Sequence, residues 1–226
     1  RLGPGAADLQ RRGPTRLGER AVRQKRSPPS GFGIGDAATD DLGGQSAHRA
    51  AAQIEQPGLA RQRHFPSIDW LSSYSLYPTA LDQWYRENVA QDFPDVRTKI
   101  SSLLQVESEL QEIVQLVGSD ALPIDQQLTL EVARMIREYF LQQNAFHEVD
   151  TYSNLDLQYK MATAILSFQD NAKLAIEAGA MLEDVVNVPA RTDLLRGRFE
   201  ENYGERIESL VTKMNKQIAS AVEAED

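Results

Sequence analysis

A stripe of apolar residues past the middle of the chain most constrains what the chain can fold into. Leu128, Val132, Met135, Ile136 and Tyr139 follow one another at spacings of four, three, one and three residues. These spacings place the five side chains on one face of an α-helix, the pattern of an amphipathic helix that packs on a core. The chain is therefore expected to fold around packed helices.

The periodicity breaks just after this stripe, in a short stretch rich in phenylalanine and side-chain amides. Phe140, Gln142, Gln143 and Phe146 lie within seven residues of one another. One interpretation is that both phenyl rings cap the core of the helical bundle, because large apolar side chains are usually buried. The other is that the chain has left the core here and contacts something else.

Three- and four-residue apolar spacings recur on both sides of the stripe, and prolines, glycines and capping residues divide them into helices. The turn from Gly118 to Asp125 predicts the tip of an αα-hairpin, and no segment has a strong strand pattern. The predicted fold class is all-α: a C-terminal helical bundle, made of an αα-hairpin and further long helices, preceded by a largely disordered tail. The predicted helices run from about Thr79 to Val89, from Asp92 to Gly118, from Pro123 to about Gln142, from Leu155 (capped by Asn154) to about Ala178, briefly over Met181–Asn187, and from about Gly204 to Val222.

Charge and composition divide the chain into two unlike parts. Residues 1–63 carry 11 Lys and Arg against 6 Asp and Glu, whereas residues 64–226 carry 13 against 27. Residues 1–57 hold 9 of the 14 glycines and 5 of the 10 prolines, so this segment buries too little apolar surface to offset the entropy of ordering. The expected divisions are a disordered or non-native Arg/Gly/Pro-rich tail over residues 1–58, a connector over 59–78 and the helical bundle over 79–226.

The composition disfavours several classes of function. The acidic balance of the bundle argues against nucleic-acid binding, and the basic cluster Arg20–Arg26 lacks the aromatic residues that stack on bases. There is no cysteine, and His48, His64 and His147 do not pair at metal-ligand spacing, so no metal site is predicted. The chain has no P-loop motif and no nucleophile elbow. It is expected to catalyse nothing by itself, and no apolar run approaches the ~20 residues of a membrane helix.

Five motifs, in the order found here, identify a family. They are Arg63–Tyr77 (RHFPSIDWLSSYSLY), Glu112–Gly118 (EIVQLVG), Asp120–Pro123 (DALP), Leu128–Arg134 (LTLEVAR) and Phe140–Tyr152 (FLQQNAFHEVDTY). From about Leu59 onwards, over about three-quarters of the chain, the sequence resembles the C-terminal part of the catalytic A subunit of the V/A-type (archaeal and bacterial vacuolar-type) rotary ATPases.

This resemblance implies a function that belongs to a larger assembly. In the family, a nucleotide-binding domain with the P-loop and the bond-making residues precedes the bundle. ATP synthesis or hydrolysis, coupled by rotation to proton or sodium transport, is performed by an alternating hexamer of A and B subunits with a central stalk. ATP or ADP with Mg would bind the parent enzyme, and none is expected to bind this part alone. The expected location is the cytoplasmic face of the cell membrane, which the chain would reach only through the complex.

A candidate nucleotide site follows from the resemblance. In the related F-type β chain, an aromatic-Pro segment and a later Phe-Leu-x-Gln-x-Phe segment grip the adenine ring. Stacking of a base on an aromatic ring is worth ~1–3 kcal/mol. Phe65 and Phe146 are the predicted stacking rings, with Phe140 a further candidate. The residues that match the two segments are Phe65 and Pro66 in the first, and Phe140, Gln142, Gln143 and Phe146 in the second.

A candidate contact with the central stalk lies at the hairpin tip. It takes the place of the acidic stalk-touching loop of the F-type chain, but only two of its residues are acidic. The expected contact is therefore apolar, through Leu122 and Ile124, since an exposed apolar tip usually marks a partner. The matching residues are Asp120, Ala121, Leu122, Pro123, Ile124 and Asp125.

Residues 1–57 match nothing that precedes the bundle in the family, and we hypothesise that they are an out-of-frame or truncated gene product. The favoured function is a C-terminal fragment of the catalytic A subunit that supplies adenine-pocket aromatics and a stalk contact but no bond-making residues. The alternative is a free-standing helical adaptor without nucleotide chemistry. A basic-tailed nucleic-acid binder is disfavoured by the acidic bundle.

Overall fold

The computed structural model describes residues 51–223, so the predictions for residues 1–50, including the tail and the cluster Arg20–Arg26, lie outside the described residues. Helices make up most of the described part, and the all-α prediction is confirmed. In chain order the elements are β1 (Ala51–Ala52), α1 (Pro57–Arg61), β2 (Tyr74–Ser75), α2 (Pro78–Asn88), α3 (Phe93–Val117), a 3-10 turn (Ser119–Ala121), α4 (Ile124–Met135), a π-helical segment (Ile136–Leu141), α5 (Leu155–Glu177), α6 (Leu182–Val186), α7 (Pro189–Gly197) and α8 (Tyr203–Glu223).

The two helices α3 and α4 form the predicted αα-hairpin, and they pack against each other. Pro94 lies in the first turn of α3, where its missing N–H leaves no helical hydrogen bond unmade. At the other end, Gly118 adopts a φ of 85°, a conformation that glycine reaches without steric cost. The 3-10 turn and the following Pro123 then reverse the chain into α4.

Helix α5 is the central helix of the bundle, packing against α3, α4, the π-helical segment, α6 and α8. Its first turn is fixed by Asn154, whose Oδ1 accepts a hydrogen bond from Leu157 N at 2.8 Å, as the sequence predicted. The side chains that α5 buries lie on more than one face, since it has neighbours on several sides. They are Gln158, Met161, Ala162, Ala164, Ile165, Leu166, Phe168, Ala172 and Ala175.

The long helices are amphipathic, with one buried and one exposed face. On α3, Ile100 and Leu104 are buried while Asp95 and Lys99 are exposed. The buried stripe of α8 has the spacing that the sequence predicted, and it consists of Tyr203, Ile207, Leu210, Met214 and Ile218. Within residues 51–223, no helix has both the length and the apolar character needed to cross a membrane.

The predicted helix from Pro123 to about Gln142 is continuous to Leu141 but changes its winding. After Met135 it becomes π-helical, and Gln142 N donates to Arg137 O, five residues back, at 2.9 Å. Short π-helical segments inside helices are uncommon and are often found at functional sites.

Residues 51–58, which the sequence prediction assigns to the tail, contact the connector in the structure. Strands β1 and β2 pair antiparallel, an isolated bridge joins Glu55 to Ile68, and Asp69 N donates to Ile54 O at 2.7 Å. These short pairs join residues 51–58 to the connector, and the described part of the chain remains all-α in class. Two-residue strands have no side-chain periodicity to detect, and their partners lie far along the chain.

Helix α7 was not predicted, because its nine residues bury too few apolar side chains to form a stripe. It is held by Tyr203 of α8, whose hydroxyl donates to Leu194 O at 2.7 Å. The ring is fully buried, and this burial raises the pKa of the Tyr203 phenol. The ring packs so closely on Gly197 that a Cβ at this position would overlap it.

We therefore expect Gly197→Ala to lower the free energy of unfolding by about 1–3 kcal/mol, because a buried ring cannot move aside without strain. Urea denaturation of the purified chain measures this value. The matched control is Gly204→Ala, since a Cβ on Gly204 meets nothing within 4 Å. The control should be neutral or stabilising by up to ~1 kcal/mol, and equal midpoints for the two variants would contradict the packing described here.

Candidate functional site

The connector lies against the π-helical segment, and backbone groups make the main contacts between them. Gln143 N donates to Phe65 O at 2.6 Å. The two ring nitrogens of His64 each lie 3.2 Å from a backbone carbonyl oxygen, one of Pro66 and one of Arg137. The aromatic-Pro segment and the end of the π-helical segment are thus joined, although they are far apart in sequence.

Arg198, just after α7, binds the carbonyl end of the π-helical segment. Its Nη1 donates to Glu138 O at 2.6 Å and to Gln142 O at 2.8 Å. The last carbonyl groups of a helix have no partner within the helix, so a buried helix end needs donors from elsewhere. The guanidinium also lies over the ring of Phe199, 4.8 Å from the centroid, in a cation–π contact.

Residues 142–153 form a loop that is folded on itself by side-chain to backbone hydrogen bonds. Asp150 Oδ2 accepts from Asn144 N at 2.6 Å, and Asn144 Oδ1 accepts from Phe146 N at 3.0 Å. His147 Nδ1 accepts from Val149 N at 3.3 Å. Asn and Asp side chains commonly stabilise tight turns in this way. Here the turn carries Phe146 at its outer edge.

A cavity of about 240 Å³ lies between the connector, the π-helical segment, the loop, α5 and the start of α8. Four of the six residues predicted for the nucleotide site line it, namely Pro66, Phe140, Gln142 and Gln143, whereas Phe65 and Phe146 do not. The apolar walls deeper in the cavity include Trp70, Tyr139, Leu157, Met161 and Tyr203.

The three candidate rings differ in their surroundings. Phe140 packs against the bundle core, so the interpretation that a ring caps the core holds for Phe140. Phe146 is 99% exposed and Phe65 is 49% exposed, so the same interpretation is wrong for Phe146. The two exposed rings lie on segments joined by the Gln143–Phe65 hydrogen bond. Phe146 follows Gln143 by three positions, which places their Cα atoms at most about 11 Å apart.

Leu122 does not lie where the sequence prediction for the hairpin tip placed it. Its side chain is buried, with 7% exposure, so the prediction of an exposed apolar Leu122 is wrong. The chain turns inward here, and Gln127 Nε2 donates to Leu122 O at 2.7 Å. Ile124 is 53% exposed, and Asp120, Ala121, Pro123 and Asp125 are also exposed. The apolar surface at this end continues onto α3 through Ile113, Leu116 and Val117.

A buried ion pair joins the π-helical segment to α3. Glu107 is buried, and Arg137 Nη1 donates to its Oε1. Burial raises the pKa of the Glu107 carboxyl above its usual value, while the positive charge of Arg137 opposes this rise. The pair fixes the rotation of the π-helical segment relative to the hairpin, because both partners extend from helices.

Sequence reasoning missed two residues of this site. Asp150 lies within the Phe140–Tyr152 motif but was given no role there, and its side chain is only 9% exposed. Arg198 was not identified at all, since no motif surrounds it and the carbonyl groups that it binds lie more than fifty positions earlier. Among the described residues, no group of three or more His, Cys, Asp or Glu side chains could hold a metal ion.

Comparison with known proteins gives consistent matches for the helical part of the chain. Residues 82–186 match the family model described as the C-terminal domain of V and A type ATP synthase. The chain is 49% identical over 162 residues to the A subunit of the A-type ATP synthase of Methanosarcina barkeri, covering 72% of this chain and 28% of the relative. It is 55% identical over 160 residues to the corresponding A subunit of Natronomonas pharaonis, covering 71% and 27%.

A bacterial relative matches in the same way. The V-type ATP synthase alpha chain 1 of Clostridium tetani is 51% identical over 141 residues, which cover 62% of this chain and 24% of the relative. The chain therefore spans about a quarter of the length of the curated relatives it matches.

The Glu107–Arg137 pair generates a prediction with a defined pH dependence. Arg137→Met keeps most of the aliphatic stem but leaves the Glu107 carboxylate buried without a cation, which should destabilise the fold by roughly 1–3 kcal/mol at neutral pH. The pKa of Glu107 then rises further above the unfolded value, so the protonated folded state is favoured. The loss of stability should consequently grow as the pH rises from about 4.5 to 7.

Urea denaturation of both proteins across this pH range measures the difference. The matched control is Arg134→Met, because Arg134 pairs with Glu138 at an exposed position, where the side chains are 55% and 41% exposed. That pair is expected to contribute less than about 1 kcal/mol. A deficit for Arg137→Met that is the same at both ends of the pH range would refute the role given to Glu107.

Proposed function

We propose, from the match of residues 82–186 to the C-terminal domain of V and A type ATP synthases, that the chain acts within a catalytic A subunit. The activity proposed for the whole assembly is ATP synthesis or hydrolysis coupled to proton or sodium transport. The described residues contribute no candidate bond-making group, so the chemistry is assigned to the part of the A subunit that precedes the matched region in the relatives.

The proposed role of the site is to contact the adenine ring of ATP or ADP. The single observation that carries it is the exposure of Phe146 and Phe65 on two segments joined by the Gln143–Phe65 hydrogen bond. An exposed phenyl ring offers a flat apolar face to a base. Gln142 and Gln143 supply the polar edge of the site in this proposal, Pro66 follows Phe65 in the connector, and Phe140 supports the site from the core.

Magnesium is assigned to the phosphate groups and not to this site. The described residues lack an acidic cluster that could hold the ion, whereas Mg²⁺ prefers carboxylate, water and phosphate oxygens as ligands. In this proposal the adenine end of the nucleotide meets the bundle, and the metal-bound phosphates meet the P-loop domain.

The hairpin tip is proposed to contact the central stalk. Ile124 and the adjoining Leu116 and Val117 form an exposed apolar surface at the far end of the longest hairpin, and such a surface is typical of a partner contact. Asp120 and Asp125 add two exposed carboxylates. The lever formed by α3 and α4 would transmit the state of the nucleotide site to the stalk, and the neighbour in an alternating hexamer would be the B subunit.

In this assembly the chain would lie on the cytoplasmic face of the membrane and reach the membrane only through the stalk and rotor. The free-standing adaptor is not favoured, because the matched relatives carry the names of the A subunit or alpha chain of an ATP synthase. Membership in a complex with several kinds of subunit agrees with those names.

A chimeric enzyme tests the proposal. In it, this chain from Arg63 onwards replaces the matching part of the Methanosarcina barkeri A subunit, assembled with the other subunits of that enzyme. Phe65→Ala and Phe146→Ala should each raise the KM for ATP about 5–150-fold, the equivalent of one lost stacking contact of ~1–3 kcal/mol. The kcat should change little, since the bond-making residues are elsewhere.

The control variant is Leu174→Ala, which removes an exposed apolar side chain near the far end of α5 and should leave the KM unchanged. A chimera that assembles but keeps the same KM in both phenylalanine variants would contradict the adenine contact. A chimera whose parent sequence fails to assemble with the B subunit would contradict the placement of this chain in the A subunit.

A further inference from the structure

We infer that Arg198 is a positioning residue that holds the loop carrying Phe146 and so sets the contact of Phe146 with the base. This inference rests on the function proposed above and adds to it a residue from outside both nucleotide motifs. Arg198 and Asp150 both line the cavity, but the role inferred for Arg198 is to hold the backbone: its Nη1 binds two carbonyl groups and its Nε lies 3.8 Å from the Asp150 carboxylate.

Arg198 contacts both ends of the loop formed by residues 142–153. Its Nη1 binds Gln142 O at 2.8 Å at the start of the loop, and its Nε lies 3.8 Å from Asp150 Oδ2 near the end. The same Nη1 binds Glu138 O at 2.6 Å, which anchors the loop to the π-helical segment. The side chains of Arg198 and Asp150 are only 11% and 9% exposed, so water competes weakly for these contacts.

Asp150 connects Arg198 to the backbone of Phe146 through two hydrogen bonds of the loop. Its Oδ2, the atom that faces Arg198, also accepts from Asn144 N at 2.6 Å, and Asn144 Oδ1 accepts from Phe146 N at 3.0 Å. The ring of Phe146 is 99% exposed, so packing does not fix its position. The backbone bonds of the loop therefore determine where the ring lies, and those bonds depend on the placement of Asp150.

A lysine would not reproduce these contacts. The planar guanidinium presents several N–H groups in a rigid arrangement, whereas an ammonium is a compact point charge on a flexible stem. Nη1 of Arg198 binds two carbonyl groups, its Nε lies 3.8 Å from the Asp150 carboxylate, and the face of the guanidinium lies over the ring of Phe199. Arg198→Lys keeps the positive charge but should not keep the contacts with the two carbonyl groups and Asp150 at the same time. The variant therefore separates a positioning role from a merely electrostatic one.

The first measurement uses this full chain and needs no nucleotide. Hydrogen exchange of the backbone amides of Asn144 and Phe146 should speed up at least about tenfold in Arg198→Lys, because their acceptors are no longer held in place. The matched control is Arg191→Lys. Arg191 is also buried, also lies over a phenyl ring and also binds a backbone carbonyl and a carboxylate. None of its partners belongs to the loop; they are Phe168, Val186, Glu131 and Tyr139. Arg191→Lys should leave the exchange rates of the Asn144 and Phe146 amides unchanged.

The second measurement is a double-mutant cycle on the KM for ATP in the chimeric enzyme. Arg198→Lys should raise the KM about fivefold or more with kcat nearly unchanged, and it should add no further increase once Phe146 is replaced by alanine, because both act through one contact. The Arg191→Lys enzyme should keep the parental KM.

The outcomes separate this inference from the function on which it rests. If Phe146→Ala raises the KM and Arg198→Lys does not, the positioning role is wrong and the adenine contact stands. It is also wrong if the two effects multiply in the double variant, or if the loop amides of Arg198→Lys exchange as in the parent. If Phe146→Ala leaves the KM unchanged, the adenine contact fails and the positioning role fails with it.

Discussion

The structure of the site depends on satisfying the carbonyl groups at the end of the π-helical segment. A helix end leaves carbonyl oxygens without helical partners, and each one buried without a donor costs about 1–3 kcal/mol. Here Arg198 donates to Glu138 O and Gln142 O, and a ring nitrogen of His64 lies 3.2 Å from Arg137 O, which also accepts the helical bond from Gln142 N. These partners come from opposite ends of the described chain. The segment is therefore stabilised by the complete fold and not by its own sequence.

This constraint also explains why the site combines buried polar groups with exposed rings. The connector and the loop are each held by hydrogen bonds to the π-helical segment, and their backbones lie close together at the Gln143–Phe65 bond. The aromatic side chains at their outer edges then remain free of the core. Phe140, which belongs to the segment itself, packs inward. A hydrogen-bonded backbone that holds exposed rings in place suits the recognition of a flat base.

The bundle connects this site to the hairpin tip through α3 and α4. The ion pair between Arg137 and Glu107 joins the π-helical segment to α3, and Arg191 joins α4 to the region after α6 through Glu131. Both pairs are largely buried and are held by side chains from well-packed helices. A displacement of the π-helical segment would consequently move the hairpin as one rigid unit, because closely packed helices shift together and do not deform continuously.

The sequence by itself determined the helical class, the hairpin and most helix limits, because the spacing of apolar residues, Asn154 as a cap and Gly118 as a stop act locally. Its motifs also indicated the resemblance to the rotary ATPase A subunit and singled out Pro66, Phe140, Gln142 and Gln143, which line one cavity in the structure. Only the tertiary structure decided which rings are exposed, that Leu122 is buried, and that residues 51–58 pair with the connector. It alone revealed Arg198 and Asp150, since their roles depend on partners distant in sequence, and no local pattern encodes such contacts.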